Sequence, residues 1–474
     1  MSTTTQEKTE KTNPSLIRWP EERPEYESLR AAVQGETARW NSVGMAAGVI
    51  HGNETEIVVT GPTDIRTGAP ITDDALFLVG SISKVYTATL VMRLCEQGKL
   101  DLDTPVITYV PELQLANAGA REVITLRHLL SHSSGIEGDR FIDYGRGDDV
   151  LTKAIAEFNT LTQWFKPGTF YSYCNSGFYL TAHIIETVTG KTFEEVMKEE
   201  LFEPLGLEHT EMMPEEVLNH PFALGHKVDR RGGVSISRPQ HLPRVAHGAG
   251  GVIASVGDLL RFARMHMNKG ELDGVRIISE ESAMAMREPQ IVTEQAYRSY
   301  GIGFWIFEWP EITSIGHGGA WSGHRANLTI VPEENFAIAT LTNSNVGASA
   351  YAEVEEWALE HYIDFKRPKP EPVELSEEEL KAFAGTYSRH DGRYEVTTQG
   401  DGLRLTITNI DEETGEESET PRLFDLQPIG ESRFRITSPE GFGMTIDILP
   451  VPDGDGKERD LLRMGGRLAA RQDQ

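Results

Sequence analysis

At Lys366–Glu379 (KRPKPEPVELSEEE) three prolines and a run of charges divide the chain into two parts whose hydrophobic patterns differ. Proline fixes φ and removes a backbone donor, so a segment this rich in it continues neither a helix nor an inner strand. It reads as a linker between domains. Beyond it come short alternating runs, RYEVTTQ, GLRLTITN, RLFDLQPI, RFRITS, MTIDILP and DLLRMGG, separated by Gly, Pro and Asp. At least six strands in so short a stretch predict a small antiparallel barrel over residues 371–474.

The part before the linker has a different order. Tyr26–Trp40 (YESLRAAVQGETARW) has the spacing of an amphipathic helix. Met45–His51 (MAAGVIH) and Glu56–Thr60 (EIVVT) read as a hairpin turned at Gly52-Asn53. From about 81 to 300 the segments are mostly helix-like and broken by Pro and Gly, and strands return in ITSIGHGG, HRANLTIVP and FAIATLTN between 312 and 345. Sheet at both ends with a helical middle predicts an α/β layer with a helical insertion, together one domain over 26–366. Residues 1–25 are polar and expected to be frayed.

Charge and cysteine usage narrow the function classes. The 474 residues carry a net charge of −28, of which −11 falls in 371–474. Acidity spread over both parts repels phosphate backbones and anionic lipid surfaces, so neither a nucleic acid nor a membrane is an expected partner. The first 25 residues hold no secretory-type apolar run, and no stretch approaches 18 consecutive apolar residues. Cys95 and Cys174 are the only cysteines, too few for a disulfide framework. A cytoplasmic protein is expected, and no cofactor or metal motif is read.

Three segments carry chemistry. ALFLVG ends at Gly80, and Ser81-Ile82-Ser83-Lys84 opens a helix with no proline before Gly98. Spacing i, i+3 puts Ser81 and Lys84 on one face, and a serine hydroxyl becomes a useful nucleophile when a neighbour removes its proton. Taken alone the pair also fits a capping serine with a solvated lysine. Tyr173 and Asn175 follow the Lys166-Pro167-Gly168 turn in TFYSYCNSG and are placed in a loop ahead of the next helix. Lys84 close to the phenol would favour its anionic form and make Tyr173 a proton acceptor. His317-Gly318-Gly319-Ala320 is glycine-rich and precedes a strand, so a substrate could approach its backbone closely.

The order and separation of Ser-x-x-Lys, Tyr-x-Asn and His-x-Gly resemble the three motifs of penicillin-recognising serine enzymes. The resemblance is to the branch holding class C β-lactamases, D-alanyl-D-alanine carboxypeptidases, D-aminopeptidases and related esterases. GKLDLDTPV, ITLRHLLSHSSGI, FKPGTFYSYCNSGFYL, LFEPLGLEHT and GAGGVIASVGDLLRFA extend it over most of residues 40–345. It implies a serine β-lactamase/transpeptidase-like catalytic domain followed by a barrel similar to the lipocalin-like appendage of D-aminopeptidase relatives. It further implies that Ser81 is acylated and that Lys84 and Tyr173 shuttle its proton. Asn175 would hold Lys84 and the substrate amide, and His317 stands where many relatives have lysine. The N–H groups of Ser81 and Ala320 would form an oxyanion hole, with Gly318 and Gly319 lining the substrate.

Gly318 replaces the usual threonine of the third motif, and no export signal is read; both argue against an efficient β-lactamase or cell-wall carboxypeptidase. The expected activity is acyl transfer from small amides or peptides, with D-residues among them. A carboxylesterase or weak β-lactamase is the alternative, and a non-catalytic penicillin-binding-like sensor or scaffold is the rival from another class. A homo-oligomer stays open, and the barrel is expected to shape access or assembly and to be removable without loss of Ser81 reactivity. Three other segments are discounted. In Ser131-His132-Ser133-Ser134-Gly135 adjacent residues on a turn rarely face one another. Gly248-Ala249-Gly250-Gly251 lacks the lysine of a phosphate loop. His183-Ile184-Ile185-Glu186 lacks the second histidine of a zinc helix.

Overall fold

The computed structural model describes residues 23–472 apart from 230, 296, 412–413, 439–443 and 453–457. Residues 1–22, most of the segment expected to be frayed, lie outside the described residues. Helix α1 (Leu29–Arg39) is capped by the Ser28 side chain, which accepts from the Ala31 N–H. Strands β1 (Met45–His51) and β2 (Glu54–Thr60) form the expected hairpin. Helices α2 (Ser83–Glu96), α3 (Asn175–Thr189) and α4 (Val256–Met267) belong to the helical insertion.

The return to sheet comes earlier than the sequence pattern indicates. Strands β3 (Ile291–Gln295) and β4 (Arg298–Tyr300) occupy the end of the region read as helical. They are followed by β5 (Trp305–Glu308), β6 (Thr313–Trp321), β7 (His324–Val331) and β8 (Phe336–Thr342). The eight strands make one antiparallel sheet in the order β3-β4-β5-β6-β7-β8-β1-β2. Its central strands are covered on both faces. Met45, Ala47 and Val49 of β1 pack toward α1 and the long helix α5 (Gly347–Ile363), whereas Ala46 and Ile50 join the core built with α2, α3 and α4. The period-2 alternation of a strand thus feeds two apolar layers, which is why MAAGVIH is almost wholly apolar.

The linker ends in a short helix, α6 (Glu377–Phe383), opened by a capping box between Ser376 and Glu379. So the charge run EEE belongs to a helix, with acidic side chains at its positive end. The barrel is closed and has eight strands: β9 (Gly385–Arg389), β10 (Gly392–Gln399), β11 (Gly402–Asn409), β12 (Arg422–Pro428), β13 (Arg433–Ile436), β14 (Thr445–Pro452), β15 (Glu458–Met464) and β16 (Arg467–Arg471). Closure comes from β9 pairing with β16, the two strands that hydrophobic alternation did not reveal. Its interior is filled by side chains such as Tyr387, Leu405, Phe424, Phe434, Ile446 and Leu462.

The barrel is docked against the catalytic domain. Phe165 and Phe170 pack with Val451, Leu461 and Leu468 of the barrel. The fully buried Arg463 holds Asp447 within the barrel at 3.0 Å and reaches Glu294 Oε2 on β3 at 2.9 Å. Its Nη2 also donates to the Thr293 carbonyl. Removing one member of such a buried pair strands the other, at a cost of about 3–5 kcal/mol. Arg463→Met is therefore expected to lower the unfolding free energy measured by denaturant titration by an amount in that range, with the barrel surface becoming accessible to protease; an unchanged unfolding free energy would mean that the network adds nothing to docking.

Candidate active site

The nucleophile segment is a tight turn. Gly80–Ile82 form a single 3-10 turn and α2 begins at Ser83, so Ser81 stands one turn ahead of the α-helix instead of within it. Gly80 has φ +54, and a Cβ there would lie 2.5 Å from the Ala320 nitrogen. A Cβ at Gly319 would lie 1.9 Å from the Val79 carbonyl oxygen and 3.0 Å from the Ser81 nitrogen. Absence of side chains at these two positions lets β6 lie against the turn, with the backbone around Ala320 beside that of Val79–Ser81. Ser83 pins the turn by donating to the Gly80 carbonyl and accepting from the Val252 N–H. Pairing between β5 and β6 stops at Gly316, so Gly318, Gly319 and Ala320 form a strand edge without a β5 neighbour.

Lys84 has no exposed surface, which removes the reading of a solvated lysine. Its Nζ lies 3.2 Å from Ser81 Oγ and 2.6 Å from the Ala249 carbonyl oxygen. The glycine-rich segment discounted as a phosphate loop thus supplies an acceptor to the lysine and, through the Gly248 carbonyl, another to Thr87. Tyr173 lies beside the pair, with its ring centroid 4.9 Å from Nζ. Burial, followed by the Arg467 guanidinium, drives Lys84 well below the ordinary lysine value, against the pull of Asp139 and Cys174. Burial also raises the Tyr173 phenol, against the smaller opposing pull of the Arg467 guanidinium. The environment therefore favours a neutral amine beside a protonated phenol, not the phenolate expected from the sequence, and Lys84 is the base it supports.

Asn175 is the first residue of α3 and not part of a loop, while Tyr173 lies in the extended chain before it. The Asn175 amide donates to Asp139 Oδ1, whereas the lysine bonds to Ser81 and Ala249. His317 is buried, with Nδ1 2.6 Å from the Gly318 carbonyl and Nε2 3.1 Å from the Tyr300 hydroxyl. Burial, with Lys84 nearby, pushes His317 down to about 3, so it is neutral and braced between its partners. His132, from the discounted Ser-His run, packs its ring 4.2 Å from Tyr173 and accepts the Cys174 N–H at Nδ1. Its neighbour Ser131 bonds to Arg127 and Ser133, so the run is not a Ser-His pair.

Asp139, Tyr300 and Arg467 were not singled out in the sequence, and His132 was named there only to be discounted. The one signal that could have pointed to Arg467 is the glycine pair Gly465-Gly466 before it, which suits a tight turn. Which wall that turn meets is a tertiary fact.

The Beta-lactamase family model matches residues 29–362, and the chain belongs to that family. It is 34% identical over 358 residues to penicillin-binding protein 4 of Amycolatopsis lactamdurans, covering 74% of this chain and 94% of that protein. It is 27% identical over 302 residues to a D-aminopeptidase of Brucella anthropi, covering 62% of this chain and 54% of that protein. The structure of SurE with D-Leu superposes with a TM-score of 0.71 at 25% identity, covering 94% of this chain and 98% of that one. The protein is thus a serine hydrolase of the β-lactamase and penicillin-binding-protein kind, with a mixed α/β transpeptidase-like domain and a separate closed barrel. Among the described residues no helix is long and apolar enough to cross a membrane.

A base must be deprotonated to accept the serine proton. Acylation is therefore expected to be lost as pH falls through the lowered Lys84 value and to be complete above it. The acid limb of the acylation rate plotted against pH should have its midpoint well below 10.5, and a limb at the ordinary lysine position would contradict the neutral-amine assignment.

Proposed function

We propose that the protein hydrolyses or transfers the acyl group of small amides or peptides with D-residues at the reacting end, through an ester on Ser81. The observation that carries this reading is Ser81 Oγ within 3.2 Å of the amine of a fully buried lysine. Lys84 takes the Ser81 proton as Oγ attacks the carbonyl carbon. The negative charge forming on the carbonyl oxygen falls between the N–H groups of Ser81 and Ala320. Collapse breaks the C–N bond, and the leaving amine takes its proton from Tyr173, which is resupplied by the Lys84 ammonium. Water or a second amine then attacks the ester, the same groups acting in reverse. The edge at Gly318–Ala320 suits hydrogen bonding to an extended substrate backbone. The preference for D-residues is supported by similarity to the D-aminopeptidase and to the D-Leu-bound SurE.

A panel of p-nitrophenyl esters, nitrocefin and D- and L-aminoacyl p-nitroanilides, read with intact-mass analysis, tests this reading. Turnover of the D-aminoacyl anilides with a mass increment on Ser81 is expected, and both should vanish in Ser81→Ala. Tyr173→Phe keeps the ring and removes the proton-carrying oxygen, so turnover should fall by about 10²–10⁴-fold. Turnover that survives Ser81→Ala, or preference for L-aminoacyl anilides, would contradict the nucleophile or the substrate class respectively.

A further inference from the structure

The barrel reaches the reactive serine through one hairpin. Between β15 and β16, Gly465 and Gly466 make a two-residue turn with φ +57 and +83. A Cβ on Gly466 would lie 2.9 Å from Tyr173 Cβ, and its carbonyl accepts the Tyr173 N–H at 2.8 Å. The next residue, Arg467, lies with its guanidinium carbon 4.3 Å from the Tyr173 ring centroid. Its Nε donates to Asp139 Oδ2 at 2.6 Å and its Nη2 to Oδ1 at 3.3 Å, while Nη1 returns to the Gly465 carbonyl. Asp139, 8% exposed and at φ +72, accepts in turn from the Asn175 amide. A chain of charge-assisted bonds thus runs from the barrel through Asp139 to the start of α3.

We propose that Arg467 is a positioning residue for acylation: acting through Asp139 it fixes Asn175 and supplies the positive charge behind Tyr173 and Lys84, so that the site is complete only with the barrel docked. This rests on the reading of Ser81 as the acylated residue. It narrows the expectation that the barrel only shapes access or assembly and can be removed without loss of reactivity. The titratable groups that bear on Lys84 come from several elements: Ser81 on its own turn, His132, Asp139, Tyr173 and Cys174 from the surrounding segments, His317 on β6 and Arg467 from the barrel. Arg467 is the positive member that disfavours the ammonium, and Asp139 the negative one that favours it. Burial raises Asp139, but Arg467, Arg389 and the Asn175 amide outweigh it and keep the carboxylate charged. Docking does not hang on Arg467, because Arg463, Arg433 on the Glu294 carbonyl and His390 on Glu137 hold the barrel elsewhere.

The test uses full-length Arg467→Met, Arg467→Lys, Asp139→Asn and the Arg467→Met/Asp139→Asn double variant, with docking of the barrel checked by limited proteolysis. A p-nitrophenyl ester and a fluorophosphonate measure Ser81 acylation across pH. Arg467→Met is expected to slow acylation by about 10²-fold, the scale of a displaced catalytic group, and to move the acid limb to higher pH. Arg467→Lys should restore part of the rate and most of the limb, and the double variant should lose less than the sum of its parts. Wild-type rate and limb in Arg467→Met would overturn the proposal, as would equal losses in the Met and Lys variants with an unmoved limb, which mark a structural peg. Wild-type protein that is never acylated at Ser81 would refute the functional reading and the proposal with it.

Discussion

The burial of one lysine amine organises the site. An ammonium without exposed surface loses its hydration, and the protein offers Lys84 one carbonyl, one hydroxyl and two aromatic faces in place of water. Those groups favour the charged form, but the loss of hydration on burial, followed by the Arg467 guanidinium, outweighs them and favours the neutral amine. On the proposed reading, a neutral amine 3.2 Å from the Ser81 oxygen is placed to act as its base. The parts around it serve that placement: the turn at Gly80–Ile82 presents Ser81, the Gly248-Ala249 carbonyls hold the foot of α2, and β6 closes the opposite side.

The surrounding aromatic and histidine groups are equally neutral. Burial keeps the phenols of Tyr173 and Tyr300 protonated and the rings of His132 and His317 uncharged. Arg467 and Asp139, one from each domain, are paired beside Tyr173 and Asn175. A site built this way has little net charge in the resting state, and its fixed dipoles are free to respond to the negative charge of an oxyanion. The acidity of the whole chain has no counterpart at its centre.

Much of this was legible in the sequence, for identifiable reasons. The β1–β2 hairpin was readable as two apolar runs around the Gly52-Asn53 turn, and six strands of the barrel from their alternation. Strands β9 and β16 were not, because GTYSR has a single large apolar residue and the apolar residues of RLAAR are consecutive instead of alternating. Strands β3 and β4 are short and take their pairing from β5, which no local pattern announces. At the site, Ser81, Lys84 and Tyr173 followed from spacing and motif. The direction of proton affinity did not, since it depends on burial, and Arg467 lies more than 300 residues from its partner Asp139 in sequence. Covalent order carries the motif; tertiary contact carries the electrostatics.

The central claim is that the resting protein holds Lys84 as an amine. Nitrogen-15 NMR of lysine-labelled protein, with the Nζ signal assigned by comparison with Lys84→Arg, follows that proton directly. The signal is predicted to titrate well below 10.5 and to be lost in the Lys84→Arg spectrum while the other lysines are unmoved. A Lys84 signal that stays ammonium-like up to the ordinary lysine range would contradict the account, because the serine would then have no base beside it.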